Sequence, residues 1–151
     1  MYANILMSTD GSDVARKGVK DGIALAKALN AKATVITVTE SLHFDYGSGD
    51  ASGWIPSPEE FDRFDAACKE RAGKVLDEAR GQIGLSAELL HVPNAYPAPA
   101  IVETAKSKGC ELIVMGSHGR RGLRKLLLGS QTSEVLADGS VPVLVCGSRH
   151  K

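Results

Sequence analysis

Hydrophobic residues in this chain alternate between short, dense runs and longer stretches in which apolar positions recur about every three or four residues. The first dense run, Ala3 to Met7, is followed by Asp10-Gly11-Ser12-Asp13, a turn that supplies helix-capping oxygens. From Val14 to Leu29 the apolar spacing is that of one helix face. The second dense run, Ala33 to Thr39, is rich in β-branched residues, which strands favour. The pattern predicts a strand, a helix and a second strand.

The same alternation continues through the rest of the chain. Ser57, Pro58 and Glu60 match a capping box with proline at the first helical position, so a helix is predicted from there to about Gln82. The segment from Glu40 to Pro56 has no period and contains several glycines, which is typical of a functional or mobile loop. The remaining predicted elements are strands over 87–92, 110–115 and 141–146 and helices over 97–108 and 130–138.

Strands that alternate with helices predict a parallel sheet covered by helices on both faces. Covering both faces requires the chain to reverse its winding direction once, and ligands of such sheets bind at this switch point, outside the carboxyl ends of the strands. Two segments are therefore candidates for a ligand site: Ser8-Thr9-Asp10, after the first strand, and the glycine-rich stretch that begins at Gly116, after the fourth.

Composition places the chain among ordinary globular proteins. A length of 151 residues predicts a single domain over 1–151. The 18 basic and 18 acidic residues cancel, which gives no overall attraction to nucleic acid or to an anionic membrane. Because the N-terminus lacks the features of a signal peptide and no apolar run could span a bilayer, we expect a cytoplasmic protein. The three cysteines have no disulfide or zinc spacing and are expected to be free, buried thiols.

The glycine-rich stretch from Gly116 to Ser130 follows a predicted buried strand and opens a predicted helix. Glycines allow backbone N–H groups to approach an anion, and the helix start adds unpaired N–H groups and a positive dipole end. Ser130 can cap the helix or bind a phosphate, while the basic run from Arg120 to Lys125 can neutralise charge. Neither the P-loop nor the Rossmann glycine fingerprint is present. The stretch predicts a polyphosphate site of another type.

The spacing Gly116-x-x-Gly119, nine residues, then Gly129-Ser130 resembles the nucleotide-binding signature of the universal stress protein family. The similarity extends to 113–119 and 127–130, to Thr9-Asp10-Gly11-Ser12 and to the closing run 141–145, and thus covers essentially the whole chain. The resemblance implies a five-stranded parallel sheet of order 3-2-1-4-5, which is an adenine nucleotide alpha hydrolase-like, Rossmann-like fold. It also implies homodimers and a nucleotide at the switch point.

The resemblance further implies which residues bind the nucleotide. Asp10 and Val38 would contact adenine, and the glycine loop would hold ribose and phosphates. The expected ligand is ATP, with ADP, AMP and a need for Mg²⁺ left open. Two positions depart from the family pattern: Ser8, where Pro or Val is common, and Tyr96-Pro97, where a glycine commonly precedes the helix. The full set of expected nucleotide-binding residues is Thr9, Asp10, Val38, Met115, Gly116, His118, Gly119, Arg120, Gly129, Ser130 and Gln131.

Several residues have a simpler structural interpretation. Asp10 fits a turn or helix-cap aspartate, and His118 fits a loop histidine that bonds backbone or phosphate better than a catalytic base. No general base or nucleophile is placed by sequence, so any turnover is expected to be slow hydrolysis or autophosphorylation at Ser130 or Thr132. The predicted edge strand, 141–146, is expected to pair with a second copy in a homodimer.

Three functions stay open at this point. The first is a nucleotide-binding regulatory module of a stress response, which would present an altered surface to an unknown protein partner. The second is an ATP-using enzyme of the related adenylating or pyrophosphatase class, although the turn after the first strand in those enzymes differs from Ser8-Thr9-Asp10 in this chain. The third is a dimeric interaction protein without nucleotide.

Overall fold

The computed structural model describes residues 1–41, 55–83, 87–118 and 128–147. Most of the predicted loop 40–56, together with Gly119 and the basic run that begins at Arg120, lies outside the described residues. Within them the strands are β1 (Asn4–Ser8), β2 (Lys32–Val38), β3 (Glu88–Val92), β4 (Leu112–Gly116) and β5 (Val143–Cys146), and the helices are α1 (Asp13–Leu29), α2 (Pro58–Ile83), α3 (Pro97–Ser107) and α4 (Ser130–Asp138).

The strands form one parallel sheet of order β3-β2-β1-β4-β5, so the predicted order is confirmed. The switch point lies between β1 and β4, which pair directly although α1, β2, α2, β3 and α3 separate them in the chain. Their register pairs Met7 with Val114, so both strands end at the same edge of the sheet. The carboxyl edge at this point is where a ligand of such a sheet is expected.

Each face of the sheet packs against two helices and forms its own core cluster. On one face Met7 of β1 and Val35 of β2 pack with α1 and α2, and on the other Leu6 and Ile36 pack with α3 and α4. All four of these side chains are fully buried. Because neighbouring strand residues point to opposite faces, this alternation explains why the strands read as nearly continuous apolar runs.

Helix α1 packs closely against β4, and glycines on both elements allow it. A Cβ atom on Gly116 would lie 2.9 Å from Cγ1 of Val14 and 3.1 Å from the backbone nitrogen of Ala15. On the helix side, a Cβ on Gly18 would lie 3.4 Å from the backbone nitrogen of Gly116. Gly116 therefore fixes how closely the start of α1 approaches the end of β4.

The observed elements differ from the predicted ones by one or two residues at their ends, for local reasons. Cys110 was expected to begin the fourth strand, but its N–H donates to the carbonyl of Ala105 and helps to close α3 (2.8 Å). Gly109, with φ of +63°, allows this helix ending. The last strand begins after Pro142, whose carbonyl accepts a bond from the N–H of Ile113 (2.9 Å).

Two further expectations concern the cysteines and membranes. Cys68, Cys110 and Cys146 are free and buried, as predicted. Burial raises the pKa of the Cys110 and Cys146 thiols, which keeps both protonated at neutral pH. Among the helices in the described ranges, none combines the length and apolar character needed to cross a bilayer.

Candidate functional site

The end of β1 turns directly into α1 through a network of short-range hydrogen bonds. The N–H of Thr9 donates to the carbonyl of Ile36 and so extends the pairing with β2 by one residue (3.0 Å). Asp10 Oδ1 then accepts from the N–H of Ser12 (2.9 Å), and Ser12 Oγ accepts from the N–H of Ala15 (3.3 Å). The turn role predicted for Asp10 is confirmed, and α1 starts with a side-chain cap.

Sheet register brings the expected adenine-side residues together. Ser8 pairs with Ile36, so Asp10 follows β1 at about the level at which Val38 ends β2. Val38 is half-buried against the α3–α4 face, which provides an apolar wall at this edge. On the other side of β1, the pairing of Met7 with Val114 brings Gly116 to the level of Thr9. The three strand ends therefore form one continuous rim.

The tip of β4 is held by backbone hydrogen bonds to both sides. The N–H of Ser117 donates to the carbonyl of Cys146 (2.8 Å), and the carbonyl of Ser117 accepts from the N–H of Gly129 (2.7 Å). Ser117 Oγ lies 3.0 Å from Nδ1 of His118, and a Cβ on Gly129 would lie 3.1 Å from Cα of His118. The amides of Ser117 and Gly129 are thus used within the protein, and Gly129 serves as a point of close backbone approach.

Helix α4 begins at this tip without a side-chain cap. Its N-cap residue is Gly129, and no side chain of the described residues accepts from its first N–H groups. Thr132 Oγ1 donates to the carbonyl of Gly116 (2.9 Å), which ties the first turn of α4 to the end of β4. Ser130 is exposed, whereas Thr132 is buried. The positive end of the α4 dipole therefore faces the carboxyl edge, with backbone donors from which no side chain of the described residues accepts.

The other three helices in the described ranges each start with a side-chain acceptor. α1 is capped by Ser12. Ahead of α2, Ser57 and Glu60 form the predicted capping box, with N–H to side-chain distances of 2.6 and 3.2 Å. At α3, the N–H of Ala98 donates to Oε1 of Gln131 (2.9 Å). The N-cap residue of α3, Tyr96, makes no side-chain cap bond, so the acceptor at α3 comes from Gln131 instead. For α4, which starts at the switch point, no side chain of the described residues serves as such an acceptor.

Comparison with known proteins identifies the family. A family model of universal stress proteins matches residues 1–147. The universal stress protein YxiE of Bacillus subtilis is 32% identical over 149 residues, which cover 96% of this chain and 99% of that protein. The chain belongs to the universal stress protein family.

Solved structures of family members share the architecture. The structure of MJ0577, a universal stress protein of Methanocaldococcus jannaschii, superposes with a TM-score of 0.82 at 25% identity and covers 100% of this chain and 99% of its own. A universal stress protein in complex with cAMP gives 0.64 at 24% identity and 98% coverage of both chains. One from Archaeoglobus fulgidus in complex with dAMP gives 0.60 at 19% identity, with 96% of this chain and 98% of its own covered.

Most of the residues expected from the universal stress protein signature lie along this edge. Thr9, Asp10, Val38, Gly116, His118, Gly129, Ser130 and Gln131 surround the ends of β1, β2 and β4 and the start of α4. The side chain of Met115 is buried in the α3–α4 core, and Gln131 contacts the start of α3. The predicted contacts of Gly119 and Arg120 fall outside the described residues.

Sequence reasoning missed the parts played by Ser117, Thr132 and Ala98. Ser117 joins β4, β5 and Gly129 through its backbone, and such a role leaves no side-chain signal. The need of the Ala98 N–H for a partner could have been inferred from the sequence. Pro97 and Pro99 on either side lack N–H groups, so Ala98 carries the one donor of the first three helical positions. That donor needs a partner when it is buried.

A second polar pair lies on the α1–α2 face, near the ends of β2 and β3. Thr39 Oγ1 is 2.8 Å from Nε2 of His91. Burial, and secondly the positive charge of Lys69, hold the pKa of His91 below its ordinary value. Across the described residues there is no group of three or more His, Cys, Asp or Glu side chains that could hold a metal ion.

Proposed function

We propose that this protein binds an adenine nucleotide, as ATP, at the carboxyl edge of its sheet, and that occupancy of this site regulates its interaction with a protein partner. The phosphates would lie at the start of α4, and the adenine would lie between Asp10 and Val38. The other expected contacts within the described residues are Thr9, Met115, Gly116, His118, Gly129, Ser130 and Gln131.

The observation that carries the proposal is the contrast between α4 and the other three helices in the described ranges. Three of them have a side-chain acceptor at their start, whereas α4 begins at Gly129 without one. An uncapped helix start at the switch point of a parallel sheet supplies backbone donors and a positive dipole end to an anion. This supports the α4 start as the phosphate position.

Relatives support the adenine part of the ligand. The two nucleotides bound by the structural neighbours, cAMP and dAMP, share an adenine base and a single phosphate. Both could be accommodated by an apolar wall such as Val38 and a phosphate position at the α4 start. ATP adds two phosphates, for which the basic run beginning at Arg120 offers countercharge.

A regulatory role is supported by the placement of the two hydroxyl groups that the sequence offers as phosphate acceptors. Thr132, one of two candidate phosphate acceptors, is buried at 2% exposure and its hydroxyl is bonded to Gly116, so it is poorly placed to attack a ligand. Ser130 is exposed and is the remaining candidate for slow autophosphorylation. We place the protein in the cytoplasm, as one domain over 1–151 that forms homodimers through the edge strand.

Calorimetry with ATP tests the proposal. We expect a Kd on the order of 1 µM, and mass spectrometry of ligand released from the purified protein should identify an adenine nucleotide. Asp10→Ala should weaken binding about tenfold, while Asp13→Ala removes the same charge from an almost fully exposed carboxylate in the same turn and should leave the Kd unchanged. Absence of binding at millimolar ATP would refute the proposal.

A further inference from the structure

The outer edge of β3 carries backbone groups that the sheet does not use. The N–H of Thr39 donates to the carbonyl of Val92 (3.0 Å), so Val92 directs its backbone toward β2. In a parallel pair, every second residue of a strand bonds to the neighbouring strand. The backbone groups of Leu89 and His91 therefore point outward, and no described residue forms a hydrogen bond with them.

A groove lies beside this edge, on the face of the sheet that α3 and α4 cover. Helix α3 packs on β2 and against α4, and it leaves Leu90 and Val92 of β3 only half-buried. The groove has a volume of about 390 Å³, which is within the range of binding clefts. Its lining includes Val92, Ala95, Tyr96, Pro99, Glu103 and Thr104.

The groove combines apolar and aromatic surface with one carboxylate. Tyr96 forms part of its lining and is 53% exposed. Lys106 and Lys108, the basic residues at the end of α3, are paired with acidic residues at 3.4 and 2.7 Å. The carboxylate of Glu103 is exposed and forms no ion pair within the described part of the chain. A partner that fits this groove therefore brings apolar side chains and a positive charge.

We propose that the β3 edge, formed by the outward backbone groups of Leu89 and His91 and by this groove, binds an extended segment of another protein as an added strand. Every second side chain of that strand would point to the α3 side of the sheet. Apolar side chains on that side would fill the groove, and one lysine or arginine would pair with Glu103. The proposal names the surface and the chemistry of the partner and does not depend on nucleotide binding.

A second copy of this chain fits the β3 edge less well than another protein does. β3 and β5 lie at opposite edges of the sheet, and β5 is the edge proposed for the homodimer. Self-pairing at both edges would extend the sheet from copy to copy without closing. A strand donated by another protein covers the β3 edge and leaves the dimer closed.

The probe for this site is a synthetic, capped peptide of about nine residues, a length typical of strands. It alternates threonine with valine, and arginine replaces one valine, so that the valines and the arginine share one face. In a second peptide, glutamate stands in place of the arginine. A third peptide keeps the arginine but is methylated on its backbone nitrogens, which removes the donors that strand pairing needs.

NMR on the full chain, without nucleotide, follows the binding of each peptide. We expect the arginine peptide to shift the amides of Leu89 and His91 with a Kd on the order of 1 mM. The glutamate peptide should bind about three- to tenfold more weakly, and the methylated peptide should shift neither amide. Glu103→Arg should reverse the preference between arginine and glutamate. Glu134→Arg makes the same charge change at an exposed position of α4 and should leave the preference unchanged.

Three results would overturn the inference. If millimolar arginine peptide shifts neither Leu89 nor His91, or the methylated peptide shifts them equally, β3 does not accept an added strand. If Glu103→Arg and Glu134→Arg have the same peptide preference, the groove does not select a basic segment. If the two amides shift with protein concentration alone, a second copy occupies the edge. Because ATP binding is measured separately and should be unchanged in Glu103→Arg, failure here is distinguishable from failure of the proposed nucleotide site.

Discussion

The backbone N–H of Gly129 donates to the carbonyl oxygen of Ser117 at 2.7 Å, which ties the start of α4 to the tip of β4. The glycine that ends the nucleotide-binding signature therefore does not offer its own amide to a ligand. Its place in the signature follows from the missing side chain, since a Cβ would lie 3.1 Å from Cα of His118. The N–H groups from which no described side chain accepts belong to the residues that follow Gly129 in the first turn of α4.

Replacement of Gly129 by alanine tests this assignment. The new Cβ would lie 3.1 Å from Cα of His118, so this backbone would have to give way slightly, and we expect overpacking to cost about 1–3 kcal/mol in the free energy of unfolding. The shift of the α4 start should also weaken ATP binding, by about tenfold or more. Urea unfolding and calorimetry measure the two effects.

The matched control for that variant is Gly73→Ala in α2. An added Cβ at Gly73 meets no atom within 4 Å, and the residue lies inside a helix. Alanine should therefore stabilise the protein by about 0.5–1 kcal/mol and leave ATP binding unchanged. Equal behaviour of the two variants would show that Gly129 is not a point of close approach.

The strands of the sheet and the cap of α2 can be predicted from the sequence, because both leave signals in neighbouring residues. Dense apolar runs mark strands buried on both faces, and the capping box of Ser57 and Glu60 is visible in four consecutive residues. The bond between Ala98 and Gln131 joins residues far apart in the chain, so only their three-dimensional proximity reveals it.

Helix α2 shows that the hydrophobic pattern alone does not predict which residues of a helix are buried. The apolar residues from Phe61 onward, Ala67 among them, fall on one side of the helix in the sequence pattern, yet Ala67 is exposed and full burial begins at Cys68. The helix has 26 residues, or about 39 Å, whereas strands of five to seven residues span roughly 17–23 Å. The greater length of the helix fits the partial burial of Phe61 and Phe64 near its start. Ala67 is exposed for a different reason, because it lies beside the buried stripe that runs from Cys68 to Ile83 and not within it.

Thr132 is predicted to be structural rather than a phosphate acceptor. Its buried hydroxyl donates to the carbonyl of Gly116, and Thr132→Val would leave that carbonyl without its partner. We expect a loss of about 1–3 kcal/mol in the free energy of unfolding, measured with urea, while Thr132→Ser should retain most of the stability. Incubation with labelled ATP should place no label on Thr132, and recovery of a Thr132 phosphopeptide from folded protein would contradict this interpretation.

His91 should make stability depend on pH. Its folded pKa lies below the ordinary value of about 6.5, so the unfolded chain binds the proton more readily. This contribution to stability is fully present above about 6.5 and is lost as the pH falls toward the folded pKa. Urea unfolding at about pH 7.5 and about pH 5.5 should show a smaller difference in His91→Gln than in wild type.

NMR titration of the His91 ring checks the cause directly. Burial is the larger influence on its pKa, and the charge of Lys69 is the smaller one. Lys69→Gln should therefore raise the pKa of His91 only part of the way toward its ordinary value. An ordinary pKa for His91 in the folded wild type would contradict the prediction.

The edge strand β5 should mediate the proposed homodimer. It pairs with β4 on one side, and its other side is an edge of the five-stranded sheet. Val143 and Val145 are half-buried, and Leu144 remains 40% exposed. Unpaired backbone groups beside apolar side chains favour pairing with a second copy, and a two-fold axis would pair the two edges antiparallel.

Leu144→Lys places a charge in this contact twice per dimer, so the dissociation constant should rise by about tenfold or more. The control is Leu29→Lys, since Leu29 is 42% exposed at the far end of α1 and lies outside the sheet. Light scattering across a concentration series should show a dimer for wild type and Leu29→Lys and a shift toward monomer for Leu144→Lys; a monomeric wild type, or equal behaviour of the two variants, would rule out dimerisation through β5.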